Sequence, residues 1–100
     1  MLAQNSITES IVSAVRSHLG FEHYRIFYFG SRTKGKATVR SDFDVGIDAG
    51  QEIPLELMAK IKDKLDDIAI LQKVDLVDFA CVSQAFSRQA RKTAKIIYEQ

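Results

Sequence analysis

Hydrophobic and polar positions alternate along this chain with two periods, and the switches between them lay out its elements. Ser6-Ile7-Thr8-Glu9 has the form of a capping box, and Ile7, Ile11, Val15 and Leu19 then recur every four residues up to Gly20, predicting a helix over residues 6–19. An aromatic and β-branched run follows, predicting a strand over 24–29 that stops at Gly30-Ser31. A second strand is predicted over 42–48, ended by Ala49-Gly50-Gln51. Pro54, the only proline, suits the first turn of a helix whose Leu57, Met58, Ile61, Leu65 and Ile68 make one stripe, read as core. A third strand is predicted over 73–82. Ser83 then caps a final helix with Phe86, Ala90, Ala94 and Ile97 inward and Arg88, Arg91, Lys92 and Lys95 on a basic outer face, which reads as solvated by default. The expected architecture is α/β (α+β), a small mixed β-sheet flanked by helices.

Chemistry concentrates between the first two strands, where Phe29-Gly30-Ser31-Arg32-Thr33-Lys34-Gly35-Lys36 leads through Arg40 to Ser41-Asp42-Phe43-Asp44. Glycine at a strand end lets backbone amides approach a ligand closely. A short helical turn starting there adds its partial positive end, so Gly30 and the Ser31 hydroxyl suit a terminal phosphate. Arg32, Lys34, Lys36 and Arg40 place positive charge nearby. Asp42 and Asp44, at i and i+2, share one face of a strand roughly 6.5 to 7 Å apart, and two carboxylates so close repel unless a cation sits between them. Hard oxygen ligands with positions left for phosphate oxygens suit magnesium.

A third carboxylate is expected from another strand, on the side where an acceptor hydroxyl would attack. Val74-Asp75-Leu76-Val77-Asp78-Phe79 offers two. Asp75 is flanked by apolar residues and costly to bury without a partner, so it is favoured; Asp78 points to the opposite face of a regular strand and is the fallback. Asp48 shares the face of Asp42 and Asp44 but lies further along, and reads as a solvated strand end. Ser31 lacks the surroundings of a nucleophile elbow and is assigned to phosphate binding. His18 and His23 have no metal-ligand spacing to each other or to a cysteine, so no zinc site is expected.

With these residues in view the chain resembles the minimal nucleotidyltransferases of the DNA polymerase β superfamily. Their pattern is Gly-Ser, a short basic segment with Gly, Ser-Asp-x-Asp, and a later apolar-Asp-apolar strand, matched here by Gly30-Ser31, Gly35, Ser41-Asp42-Phe43-Asp44 and Val74-Asp75-Leu76. The resemblance implies a polymerase-β-like nucleotidyltransferase fold over residues 1–100 as a single domain, closing in a helix at Ile96-Ile97-Tyr98-Glu99. It implies that an acceptor hydroxyl attacks the α-phosphate of ATP or another nucleoside triphosphate, with Asp42, Asp44 and Asp75 as catalytic residues holding two magnesium ions and Gly30, Ser31, Arg32, Gly35, Lys36 and Ser41 on the nucleotide. It also implies an antitoxin role, in which adenylate passes to a hydroxyl of an all-helical HEPN-type partner toxin. The alternative is a non-catalytic antitoxin that neutralises its partner by contact, with a vestigial or sensory nucleotide site. An antibiotic-adenylating enzyme is disfavoured, because such relatives wall the acceptor with an extra domain.

Composition narrows the setting. One hundred residues at 46% apolar content suit one small domain burying roughly 60 to 70% of its unfolded surface. Fourteen basic against 13 acidic side chains leave no global field for nucleic acid, so direct nucleic-acid binding is not expected. Cys81 is the only cysteine, expected as a small buried hydrophobe; one cysteine makes no intramolecular disulfide and suits a reducing compartment. Neither a signal peptide nor an apolar run of membrane-spanning length is visible, so the expectation is a cytoplasmic protein with no membrane partner. Open sheet edges leave a homodimer or hetero-oligomer open.

Overall fold

In the computed structural model, described over residues 4–33, 35 and 41–100, four strands form one mixed sheet with helices on both faces. The order along the chain is α1 (Gln4–Arg16), β1 (Arg25–Phe29), a 3-10 turn (Gly30–Thr33), β2 (Phe43–Asp48), α2 (Leu55–Asp66), β3 (Val74–Asp78), α3 (Gln84–Arg91) and β4 (Lys95–Glu99). Across the sheet the order is β3-β2-β1-β4, with β2 and β3 parallel and the other neighbours antiparallel. The parallel pair requires a crossover, which α2 supplies.

Strand alternation sorts the side chains. Ile26 and Tyr28, Phe43, Val45 and Ile47, and Val74 and Leu76 point to one face, where Ile7, Ile11 and Val15 of α1 and Met58, Ile61 and Leu65 of α2 cover them. Ile11, Val15, Ile26, Val45, Ile47 and Ile61 lose all contact with water, and burial of this kind stabilises by about 1.5–3 kcal/mol per side chain. The opposite face carries a smaller cluster of Phe27, Phe29, Phe79 and Ala90, with Val77, Val82 and Ala94 packed against it. Gly46 makes this cluster fit: a Cβ there would strike the rings of Phe27 and Phe79, which meet edge-on with centroids 4.7 Å apart.

Three expectations are corrected. The final helix does not run through Ile97. It stops at Arg91, and Lys95–Glu99 becomes β4, closing the open edge of β1; the helix implied for Ile96-Ile97-Tyr98-Glu99 is a strand. Reciprocal Tyr24 and Gln100 amide-to-carbonyl bonds of 3.3 and 3.1 Å and the Arg25–Glu99 ion pair at 2.5 Å secure it. Phe86 packs one side against Phe29 and Phe79 but stays 45% exposed rather than joining the core, and Ile97 packs against the α1 side. The third strand ends at Asp78 rather than continuing to 82, because the Asp78 carboxylate accepts from the Ala80 amide at 2.9 Å and turns the chain. Cys81 lies in that turn, exposed rather than buried. Smaller shifts occur in α1, which begins at Gln4, ahead of Ser6, and ends at Arg16.

Candidate active site

Three neighbouring strands bring Phe29, Asp44 and Asp75 into one row across the sheet, on the face not covered by α1 and α2. The chain leaves β1 at Gly30 with φ +81°, a conformation other residues rarely adopt. Space gives a second reason for glycine, since a Cβ at Gly30 would run into the Asp44 carboxylate. The turn is held by the Thr33 hydroxyl, which donates to the Gly30 carbonyl at 2.9 Å. Arg32 ties the turn to the strand that follows. Its Nε and Nη2 both donate to the Ser41 carbonyl, at 3.1 and 2.6 Å, and its guanidinium carbon stands 3.8 Å from the centre of the Phe43 ring. The corner and the carboxylates therefore occupy fixed positions relative to one another.

The carboxylates sense each other. Partial burial, the Asp75 charge and then the Asp42 charge raise the Asp44 pKa above its ordinary value. Asp42 stands just before β2, where its Oδ1 accepts the Lys73 amide at 3.0 Å. The Lys73 ammonium lies 3.5 Å from Asp75 Oδ1, a half-exposed pair, so one residue holds both acids. This donor set of hard oxygens suits magnesium for Asp44 and Asp75, which are paired across the strands. Asp42 is engaged with Lys73, and among the described residues no three His, Cys, Asp or Glu side chains are drawn closely enough together to hold an ion. The cleft over this row, of about 520 Å³, is lined by Gly30, Asp44 and Asp75 on one side and by Phe86, Gln89 and Ala90 of α3 on the other.

Other candidates fall elsewhere. Asp78 is buried on the α1–α2 face, accepting the Ile53 amide at 2.8 Å and the Ala80 amide at 2.9 Å, so it fastens the approach to α2 to the end of β3. Asp48 shares the face of Asp44 but pairs with Arg91 at 2.9 Å and accepts from the Gly50 amide at 3.1 Å, rather than standing solvated. Partial burial pushes its pKa up, but Arg91 and the Gly50 amide outweigh this and leave it lowered. Ser31 is exposed on the 3-10 turn, Ser41 is half-buried at the Arg32 clamp, and Gly35 makes an exposed turn at φ +72°. Lys36, with Lys34 and Arg40, lies outside the described residues.

A glycine corner set against paired carboxylates on a four-stranded mixed sheet accords with the family model described as "Polymerase beta, Nucleotidyltransferase", which matches residues 11–100. The chain belongs to this family. A relative in Haemophilus influenzae, named "Probable protein adenylyltransferase MntA", is 37% identical over 78 residues, covering 76% of this chain and 67% of that protein. Among solved structures, a toxin–antitoxin complex with AMP-PNP superposes at a TM-score of 0.74 with 24% identity, over 91% of this chain and 72% of that one. A tri-AMPylated Shewanella oneidensis HEPN toxin in complex with MNT antitoxin gives 0.74 and 22%, over 96% and 72%. The fold is the polymerase-β-like nucleotidyltransferase fold.

For this nucleotidyltransferase the sequence reading missed three contributors. Lys73 reaches Asp42 only through the parallel pairing of β2 with β3, whereas its ion pair with Asp75, two residues on, is local. Gly46 was silent, because its need arises from rings distant in sequence. Phe86 was hidden by assigning it to the core. Among the described residues, no helix is long and apolar enough to cross a membrane.

Proposed function

We propose that this chain transfers AMP from ATP to a hydroxyl of a HEPN-type partner and thereby acts as the antitoxin of a cytoplasmic pair, residues 1–100 working as one domain. The observation that carries the proposal is the Asp44–Asp75 pair in register beside the Gly30 corner. Support comes from the adenylyltransferase name of the H. influenzae relative and from the AMPylated toxin in the S. oneidensis complex.

In this reading the amides after Gly30 and the Ser31 hydroxyl receive the triphosphate, with Gly35, Lys36 and Ser41 along its path. Arg32 contributes by fixing the turn to Ser41 as well as by its charge. Asp44 and Asp75 would hold magnesium, with Asp42 as the third ligand on turning from the Lys73 amide. Two ions bound there would neutralise charge on the phosphates and help align the α-phosphate. The acceptor oxygen forms a bond to the α-phosphorus, the bond to the pyrophosphate oxygen breaks, and the hydroxyl proton passes to Asp75, on the outer strand. Catalysis is then mainly positioning and electrostatics.

Mass spectrometry of the partner after incubation with this chain, ATP and magnesium tests the proposal. The partner should gain AMP with the wild type and not with Asp44→Asn. Equal labelling by both would contradict it, and full neutralisation of the toxin by Asp44→Asn would favour inhibition by contact.

A further inference from the structure

The wall of the cleft facing the carboxylates is built from α3, where Phe86 and Gln89, three residues apart and so on one helical face, line the same space as Gly30, Asp44 and Asp75. Phe86 leaves 45% of its surface in water, yet it is supported. Its ring meets Phe29 edge-on at 5.9 Å and 84°, and Phe79 at 5.9 Å. Phe79 in turn rests edge-on against Phe27 in the room that Gly46 leaves, so the support reaches the middle of the sheet. A large ring held in place with a side open to a cleft is a surface for a flat ligand. Gln89 adds an amide beside it, offering an NH2 donor group and a carbonyl acceptor.

We infer that Phe86 and Gln89 form the nucleobase subsite, Phe86 stacking on the base and Gln89 selecting adenine; this rests on the nucleotide-transfer reading of the site. Along its N6/N7 edge adenine presents a donor and an acceptor side by side, matching a glutamine amide, whereas the same O6/N7 edge of guanine presents two acceptors. Stacking on an aromatic side chain is indifferent to the base, so the ring supplies affinity and the amide supplies choice.

Titration calorimetry with magnesium and ATP, GTP or inorganic tripolyphosphate separates these contributions. Phe86→Ala should weaken ATP binding by about 5- to 100-fold and leave tripolyphosphate unchanged, Phe86→Trp should restore ATP binding, and Gln89→Ala should bring ATP and GTP to similar affinity. Unchanged ATP binding in Phe86→Ala, with tripolyphosphate still bound, would overturn the subsite alone. So would equal loss of ATP and tripolyphosphate, which would make the ring structural. Full ATP affinity with lost partner labelling would assign the ring to the acceptor and also overturn it. Wild-type protein that binds neither ATP nor tripolyphosphate would overturn the nucleotide reading and the subsite together.

Discussion

Asp44 is where the fold and the proposed function conflict. Partial burial and then the charges of Asp75 and Asp42 raise its pKa, so the folded state holds a proton there more tightly than the unfolded chain does. Stability then falls as pH rises from the ordinary value of 3.8 through the raised one, and the penalty is complete once pH stands above both. Asp44→Asn should therefore raise the melting temperature at pH 7 by a few degrees, with the gain shrinking toward acid; melting curves across pH check this. A loss of stability at neutral pH would mean that Asp44 is not held against like charge. Gly30→Ala should cost about 1–3 kcal/mol, because strain at positive φ is joined by pressure on the Asp44 carboxylate. Urea denaturation measures it, and a neutral result would remove the close approach of the corner to Asp44. The Gly30 corner and the Asp42–Asp44 spacing were legible in sequence because both are local. The bond from the Lys73 amide to Asp42 and the need for glycine at 46 were not, since each involves residues brought near only by the folded sheet.

At the scale of the element, β3 carries two aspartates with opposite duties. Strand alternation alone separated them: Asp75 falls in the row of Asp44, and Asp78 points into the opposite face, where it accepts two amides. Asp78→Ala should destabilise the fold by about 1.5–3 kcal/mol or more, the range for charge-assisted hydrogen bonds, with the Ile53 amide left buried. Asp75→Asn should leave stability nearly unchanged and abolish transfer. Urea titration beside an AMP-transfer assay checks the pair, and the reverse pattern would reassign the third ligand to Asp78. The end of the chain shows where pattern reading fails. Phe86, Ala90, Ala94 and Ile97 keep a helical spacing, yet Ile96-Ile97-Tyr98 suits a strand equally well, and the open edge of β1 decides between them. That edge does not exist until β1 and β2 have paired, so a local period could not reveal it.

For the whole molecule, the sheet places its Gly30 corner, its acids and the aromatic wall of α3 around one cleft, while the larger core stays on the other face. Ligand binding should thus stabilise the native state without rebuilding it. Magnesium with ATP at about 100 times its dissociation constant should add about 2.7 kcal/mol by mass action. Thermal shift assays should show a clear rise for the wild type, reduced in Asp44→Asn, and equal rises would place the binding elsewhere. The most direct measurement is a crystal structure with AMP-PNP and manganese in place of magnesium, read by anomalous scattering. Manganese should lie between Asp44 and Asp75 with the phosphates against Gly30-Ser31; manganese at Asp78, or a nucleotide bound away from the Gly30 corner, would contradict the proposed function.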